Sequence, residues 1–232
     1  MKKMGIIGGL GPEATLYYYR VIVDLCNGNK DLGGNYPEMI IYSMNLEECW
    51  GFMKKADWAS LSSKLLEAFH SLYRAGAEFG LISANTPHIV FDKIEGKTPI
   101  PLLSIVEETC KAVQKKGVRK VGLVGTEITM QSDFYRKVFK MKNITISVPR
   151  DDEQAYIMEK IRRELSVGII LEETRTGFLD IAKRMMKDDS IEGLILGCTE
   201  IPLLLTEETL GIPFFDTSRI HAESALRYSL SA

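Results

Sequence analysis

The sequence lacks a basic block, a paired-cysteine motif and a long apolar run, and each absence removes a class of function. Its 29 Lys and Arg and 31 Asp and Glu give a formal charge of -2. They are spread along the chain, so no phosphate-neutralising stripe points to nucleic acid or to an anionic membrane surface. No stretch reaches the roughly 20 apolar residues that a membrane-spanning helix needs. Cys26, Cys49, Cys110 and Cys198 show no Cys-x-x-Cys spacing, and the 3 histidines show no ligand spacing. That predicts free thiols in a reducing cytoplasm and no zinc site. The N-terminal Met4-Gly5-Ile6-Ile7 is too short for a secretory apolar core and reads as a strand. With 232 residues and 45% hydrophobic content, the chain can bury one large core or two smaller ones. Chemistry on a small molecule is the class left.

What the chain does have is an alternation of short apolar runs with helical periodicity, the pattern of a parallel α/β sheet with crossover helices. Strands are predicted over 4–7, 39–44, 79–83 and 100–103. Between them, Tyr18, Val21, Ile22 and Leu25 mark one helix face, and Leu61, Leu65, Phe69 and Leu72 mark another that Gly76 closes. Pro12 suits the first turn of the first helix, because its missing N–H costs nothing there.

At Val118 the pattern restarts. Lys120-Val121-Gly122-Leu123-Val124-Gly125-Thr126 copies Lys3-Met4-Gly5-Ile6-Ile7-Gly8-Gly9, and Ile195-Leu196-Gly197-Cys198 copies Leu81-Ile82-Ser83-Ala84. Gly211-Ile212-Pro213-Phe214-Phe215 likewise matches Pro99-Ile100-Pro101-Leu102-Leu103. Three matches in one order indicate an internal duplication. It predicts two pseudo-symmetric lobes, each a parallel sheet of about four strands with flanking helices. Ligands of such sheets bind beyond the strands' carboxyl ends, which places the expected site in a cleft between the lobes. The boundaries read as 1–104 plus 216–232 for the first lobe and 105–215 for the second. In this arrangement Ala84 is the counterpart of Cys198: a methyl group answers a thiol.

Gly8-Gly9-Leu10-Gly11-Pro12-Glu13-Ala14-Thr15, Asn85-Thr86 with His88, Gly125-Thr126, Gly197-Cys198-Thr199-Glu200 and Ile212-Pro213 resemble, in order and spacing, the aspartate/glutamate racemase family. The resemblance spans essentially the whole chain. It implies cofactor-independent inversion at an amino-acid Cα, a homodimer, and two cysteines that work on opposite faces of the substrate. This sequence keeps the second as Cys198 and has Ala84 at the position of the first. The resemblance also brings Gly9, Leu10, Trp50, Asn85, Thr86, Thr126, Thr129, Thr199 and Glu200 towards the substrate. Trp50 falls where acidic-substrate members have a glutamine, and Glu164, Leu165 and Ser166 stand near a second cationic position that Arg162 or Arg163 could replace. A neutral or larger amino acid is therefore expected alongside an aspartate- or glutamate-like one.

The chemistry follows from the residues as well. Removing an α-proton needs a base, and returning one needs an acid. A thiol at a strand-to-helix turn is expected to ionise more readily than a free one, which makes Cys198 the candidate acid/base. Asn85, Thr86, Thr126, Thr199 and turn N–H groups suit a carboxylate, and Glu200 could take the substrate ammonium or set the thiol's protonation. With Ala84 as counterpart, the return proton is left to water, to His88 or to Cys198 itself. Cys26, Cys49 and Cys110 read as core residues. Gly9-x-Gly11-x-x-Ala14 looks like a dinucleotide fingerprint, but no acidic residue ends the second strand to take a ribose. Its glycines are read instead as letting backbone approach the substrate. Two other readings stay open: a single-cysteine decarboxylase of a malonate-like acid, and a non-catalytic amino-acid-binding homologue.

Overall fold

The protein is described here as a computed structural model covering residues 1–205 and 210–231. In chain order the first elements are β1 (Met4–Gly8), α1 (Pro12–Gly28), β2 (Met39–Ser43), α2 (Leu46–Lys54), α3 (Trp58–Arg74), β3 (Phe79–Ile82), α4 (Phe91–Ile94) and β4 (Leu102–Leu103). There follow α5 (Ile105–Lys115), β5 (Lys120–Gly125), α6 (Glu127–Gln131), α7 (Asp133–Lys140), β6 (Thr145–Ser147), α8 (Asp151–Arg163), α9 (Glu172–Asp188), β7 (Gly193–Gly197), β8 (Phe214–Asp216) and α10 (Thr217–Leu230). They form two compact units, Met1–Ile105 with Ser218–Ala232, and Val106–Thr217.

Each unit is built on a four-stranded parallel sheet, ordered β2-β1-β3-β4 in the first and β6-β5-β7-β8 in the second. Parallel sheets are covered on both faces, so their central strands are apolar without alternation. Met4 to Gly8, Phe79 to Ile82 and Gly193 to Gly197 are accordingly buried at every position. The first core joins Met4, Ile6, Tyr18, Ile22, Phe79 and Leu81 to Ala222, Ala225 and Leu226, which brings the C-terminal helix α10 into the first unit. In the second, Val124, Ile157, Phe178, Met185, Leu194 and Leu196 pack together.

Strand registers match the sequence repeat. Ile7 pairs with Ile82 in the first sheet, and Val124 pairs with Leu196 in the second. Since Ile7 and Val124 occupy the same place in the repeated motif, Ala84 and Cys198 each lie two residues beyond equivalent paired positions. β4 is shorter than the predicted 100–103, because Pro99 and Pro101 have no N–H to give to a ladder. The Pro101 carbonyl still accepts from Gly80 N–H at 2.8 Å. On α1, Cys26 is buried where Leu25 was expected on the inner face, and Leu25 packs at the margin of the core.

Two buried histidines tie the first unit together. His221 on α10 lies 2.9 Å from the Tyr18 hydroxyl through Nδ1 and 3.2 Å from the Leu103 carbonyl through Nε2. A carbonyl can only accept, so Nε2 carries the proton and Nδ1 accepts from Tyr18. His88 Nδ1 lies 2.9 Å from the Ala84 carbonyl, while Nε2 accepts from Ile105 N–H at 3.2 Å. Its proton is therefore on Nδ1. Burial is the main reason both rings titrate far below the usual histidine range, at about 3, and the neighbouring His221 adds to the effect at His88. The unfolded chain protonates histidine near 6.5. Between about 6.5 and 3 it thus binds more protons than the folded protein, and stability is lost as pH falls through that window. The melting temperature is expected to be level above about pH 7 and to drop progressively below it. A His221→Gln variant should be less stable at pH 7.5 yet show a shallower acid slope; an unchanged slope would assign the acid sensitivity to other groups.

Candidate active site

The candidate residues gather at the carboxyl ends of the strands, unit by unit. In the first, β1 leads into Gly9 and Leu10, β2 into Met44 and Asn45, and β3 into Ser83, Ala84, Asn85 and Thr86. Gly9 is required by backbone packing. Its φ is +78°, and a Cβ would fall 2.4 Å from the Met44 carbonyl oxygen and 2.6 Å from the Met44 nitrogen. The close neighbour that demands a glycine here is the end of β2. Gly9 N–H donates to Thr15 Oγ1 at 2.9 Å, Thr15 Oγ1 is 3.4 Å from Ser83 Oγ, and Ser83 donates to the Ile7 carbonyl at 3.1 Å. These hydroxyls lock the β1 and β3 turns to each other. The sequence marks Thr15 through the motif that opens α1 and Ser83 only as a member of the repeat, without its hydrogen bonds.

Ala84, Asn85 and Thr86 are buried. Asn85 precedes the short 3-10 segment Thr86–Val90, on which His88 sits stacked against Phe91 with a ring-centroid distance of 5.2 Å. With both ring nitrogens engaged by backbone, His88 holds the Ala84 turn in place and has no free nitrogen to pass a proton. Trp50 lies on α2, whose first turn is capped by the Asn45 side chain accepting from Glu47 and Glu48 N–H at 3.0 and 3.2 Å. The Lys54 ammonium stands 5.6 Å from the Trp50 ring centroid.

In the second unit β5 and β7 end side by side, Gly125 paired with Gly197. Thr126 and Cys198 therefore emerge from adjacent strand ends. Thr126 caps α6: its hydroxyl accepts from Thr129 N–H at 3.3 Å and lies 3.0 Å from the Thr129 hydroxyl. Thr129 itself is fully buried, behind Thr126. Arg162 and Arg163 are exposed on α8 and border, with Glu127, a recess of about 290 Å³.

Cys198 is the one partly exposed cysteine; Cys26, Cys49 and Cys110 are free and buried. Its thiol donates to Glu200 Oε2 at 2.8 Å, and the Thr199 hydroxyl donates to the same oxygen at 2.9 Å. The chain after it forms a turn and a three-residue 3-10 segment, Ile201–Leu203. The expected α-helix N-terminus behind the thiol is thus corrected to a much shorter element with little dipole to offer. The expectation of an easily ionised thiol is corrected with it. Burial, followed by the negative charge and hydrogen bond of Glu200, holds the Cys198 thiol well above the ordinary cysteine range, and the N–H groups of Glu200 and Thr199 oppose this only in part. The resting pair is a neutral thiol pointed at a carboxylate. It can give a proton to a carbanion directly, and it can take one only after the thiol proton has moved to Glu200.

Two α/β units of one topology, each on a four-stranded parallel sheet, are the architecture of the two-lobed racemase fold. The chain belongs to the Asp/Glu/hydantoin racemase family, whose model matches residues 7–225. It is 25% identical over 227 residues to the broad specificity amino-acid racemase RacX of Bacillus subtilis (strain 168), covering 96% of each chain. It is 36% identical to the crystal structure of an aspartate racemase homologue from Pyrococcus horikoshii OT3, with a TM-score of 0.88 and 100% of both chains covered. The fold also matches Picrophilus torridus aspartate racemase, at 21% identity and a TM-score of 0.75 over 99% of this chain and 94% of that one.

Two outcomes test this geometry. Glu200→Gln removes the carboxylate charge beside the thiol, so the midpoint of the pH profile for Cys198 alkylation should fall by at least about one pH unit. Peptide mass spectrometry of iodoacetamide-treated protein reads it, and an unmoved midpoint would detach Glu200 from the thiol. Gly9→Ala should destabilise the fold by about 2–4 kcal/mol in a denaturant titration, through positive-φ strain and the clash with Met44.

Proposed function

We propose that this protein exchanges the α-proton of a free amino acid without an organic cofactor, with Cys198 as the acid/base group and Glu200 as its proton partner. The observation that carries the proposal is the hydrogen bond from Cys198 to Glu200 at a strand end, in a chain of the racemase family. The thiol protonates the carbanion from one face, and Glu200 receives the thiol proton when the reaction runs the other way. Thr126 and neighbouring turn N–H groups are the proposed carboxylate donors, joined by Asn85, Thr86 and Leu10 of the first unit, whereas the Thr199 hydroxyl and the Gly9 N–H are already given to Glu200 and Thr15.

The substrate class is an aspartate- or glutamate-like amino acid or a related neutral one. Trp50, an uncharged side chain at the expected side-chain contact, favours the neutral members, and the similarity to a racemase named for broad specificity supports a wide range. Because Ala84 offers no transferable proton, inversion is expected to be slow relative to exchange with retention.

One specific observation favours a second reading. A thiol that is protonated at rest is also what loss of carbon dioxide from a malonate-like acid requires, since that reaction makes a carbanion without a base.

Incubation of single enantiomers of a panel of amino acids in deuterium oxide tests the first reading. Deuterium is expected at Cα, mostly with retained configuration, and Cys198→Ala should lower the exchange rate by at least about a hundredfold, the weight of one acid/base group. Exchange that survives in Cys198→Ala would remove Cys198 from the reaction. No exchange on any amino acid, together with carbon dioxide release from a malonate, would move the assignment to the second reading.

A further inference from the structure

We propose that Thr199 is a positioning residue: its hydroxyl holds the Glu200 carboxylate against the Cys198 thiol and so keeps the path for a proton between sulfur and oxygen in place. The proposal rests on the reading of Cys198 and Glu200 as an acid/base pair.

Three consecutive residues after β7 converge on one atom. Cys198 Sγ lies 2.8 Å from Glu200 Oε2, and Thr199 Oγ1 lies 2.9 Å from the same oxygen. An ionised carboxylate oxygen has two lone pairs to offer. The hydroxyl takes one, and the other is thereby aimed at the thiol. Glutamate has three rotatable bonds, and fixing them costs conformational entropy. Threonine is branched at Cβ and stiff at χ1, so its hydroxyl is a ready anchor. All three residues are half-buried, and water competes for the carboxylate wherever the hydroxyl does not hold it.

The equivalent turn of the first unit supplies an internal control. By the repeat, Ala84, Asn85 and Thr86 stand in the places of Cys198, Thr199 and Glu200. Where the thiol is absent, the carboxylate and the hydroxyl between them are absent too, and the Ala84 carbonyl is held by His88 instead. A strand end of this topology does not by itself call for a hydroxyl at the second position of the turn. The hydroxyl accompanies the pair it serves.

A hydroxyl has one proton to donate. Given to Glu200, it leaves nothing for a substrate carboxylate, so Thr199 acts on the reaction through Glu200 and not through substrate binding. When Cys198 becomes a base, its proton passes along the hydrogen bond to Oε2: the S–H bond breaks, an O–H bond forms, and a thiolate faces a neutral carboxylic acid. The Thr199 proton stays on its own oxygen throughout. Among the described residues, Glu200 is the charged side chain with the strongest effect on the thiol. A carboxylate that swings away therefore removes both the acceptor of the thiol proton and the negative charge that opposes ionisation.

Thr199→Val removes the hydroxyl and keeps the shape, while Thr199→Ser keeps the hydroxyl. The pH profile of Cys198 alkylation by iodoacetamide, read by peptide mass spectrometry on the full chain, tests the positioning without any turnover, and thermal melts verify folding. The midpoint in Thr199→Val is expected to fall by about half a pH unit or more, in the direction of Glu200→Gln, and Thr199→Ser is expected to match the wild type. The double variant Thr199→Val/Glu200→Gln should match Glu200→Gln alone, because a hydroxyl that works through the carboxylate has no charge left to hold. In deuterium exchange the valine variant should lose roughly tenfold in kcat, the weight of a hydrogen bond to a charged group, with KM unchanged within about twofold. Serine should restore the rate. A valine midpoint that stays or rises, a double variant whose shift is the sum of the two single shifts, or a loss carried by KM would each overturn the proposal. Midpoints that move as expected in a protein without amino-acid exchange would support the positioning and sink only the reaction assigned to the pair.

Discussion

The close approach of β5 and β7 at their carboxyl ends governs what the second unit can present to a ligand. A Cβ on Gly125 would lie 2.8 Å from the Gly197 carbonyl oxygen, and one on Gly197 would lie 3.0 Å from the Val124 carbonyl oxygen. With glycine at both, the strands stay paired to their last residues, and the turns that follow start from a common edge. Thr126 and Cys198 are neighbours for that reason. Thr217, fully buried, donates to the Leu196 carbonyl at 2.9 Å and holds the start of α10 against the strand that carries the thiol. The position of Cys198 is thus set by main-chain geometry on one side and a buried hydroxyl on the other.

The first unit solves the same problem with different chemistry. Where the second has Gly197, the first has Ser83, whose hydroxyl binds the Ile7 carbonyl and approaches Thr15. Gly8 in turn is hemmed in by Thr15, since a Cβ there would meet its methyl group at 2.5 Å. The β1 and β3 turns are therefore cross-linked by side-chain hydroxyls, and His88 adds a tie from the Ala84 carbonyl to the first residue of α5. One unit holds a thiol bonded to a carboxylate at its strand end, while the other holds a methyl group in a closed hydrogen-bonded turn.

Much of this was legible in the sequence, for reasons particular residues make plain. Fully buried parallel strands demand apolar runs, so Met4 to Ile7 and Phe79 to Ile82 announced themselves, and the repeat marked Ile195 to Gly197 as the end of a third. The repeat then gave the correspondence of Ala84 with Cys198, which the strand registers reproduce. What could not be read was anything decided by a neighbour distant in the chain. The conformation of Gly9 depends on Met44, the tautomer of His88 depends on Ile105, and the protonation of Cys198 depends on how Glu200 turns back within a segment too short to be an α-helix. Spacing names the residues at a strand end, but it does not say which way a carboxylate faces. Exposed Tyr19 and Tyr36 were equally invisible, because an aromatic in an amphipathic helix or a loop looks the same whether it is buried or not.

The protonation of Cys198 also bears on where a second proton could come from. Of the sources open at the outset, His88 is closed: its one acidic proton is spent on the Ala84 carbonyl, and its other nitrogen accepts from Ile105. Protonating it to gain a second N–H is opposed by burial and by His221, which keep it neutral down to about pH 3. Ser83 and Thr15 hydroxyls are far too weakly acidic to replace a thiol in proton transfer at neutral pH, and both are engaged with each other and with backbone. Water and Cys198 itself are left. A proton supplied by Cys198 returns to the face it left, so under the proposed reading the turnover of this chain is dominated by exchange with retention, and its rate of inversion reports how readily water reaches the carbanion.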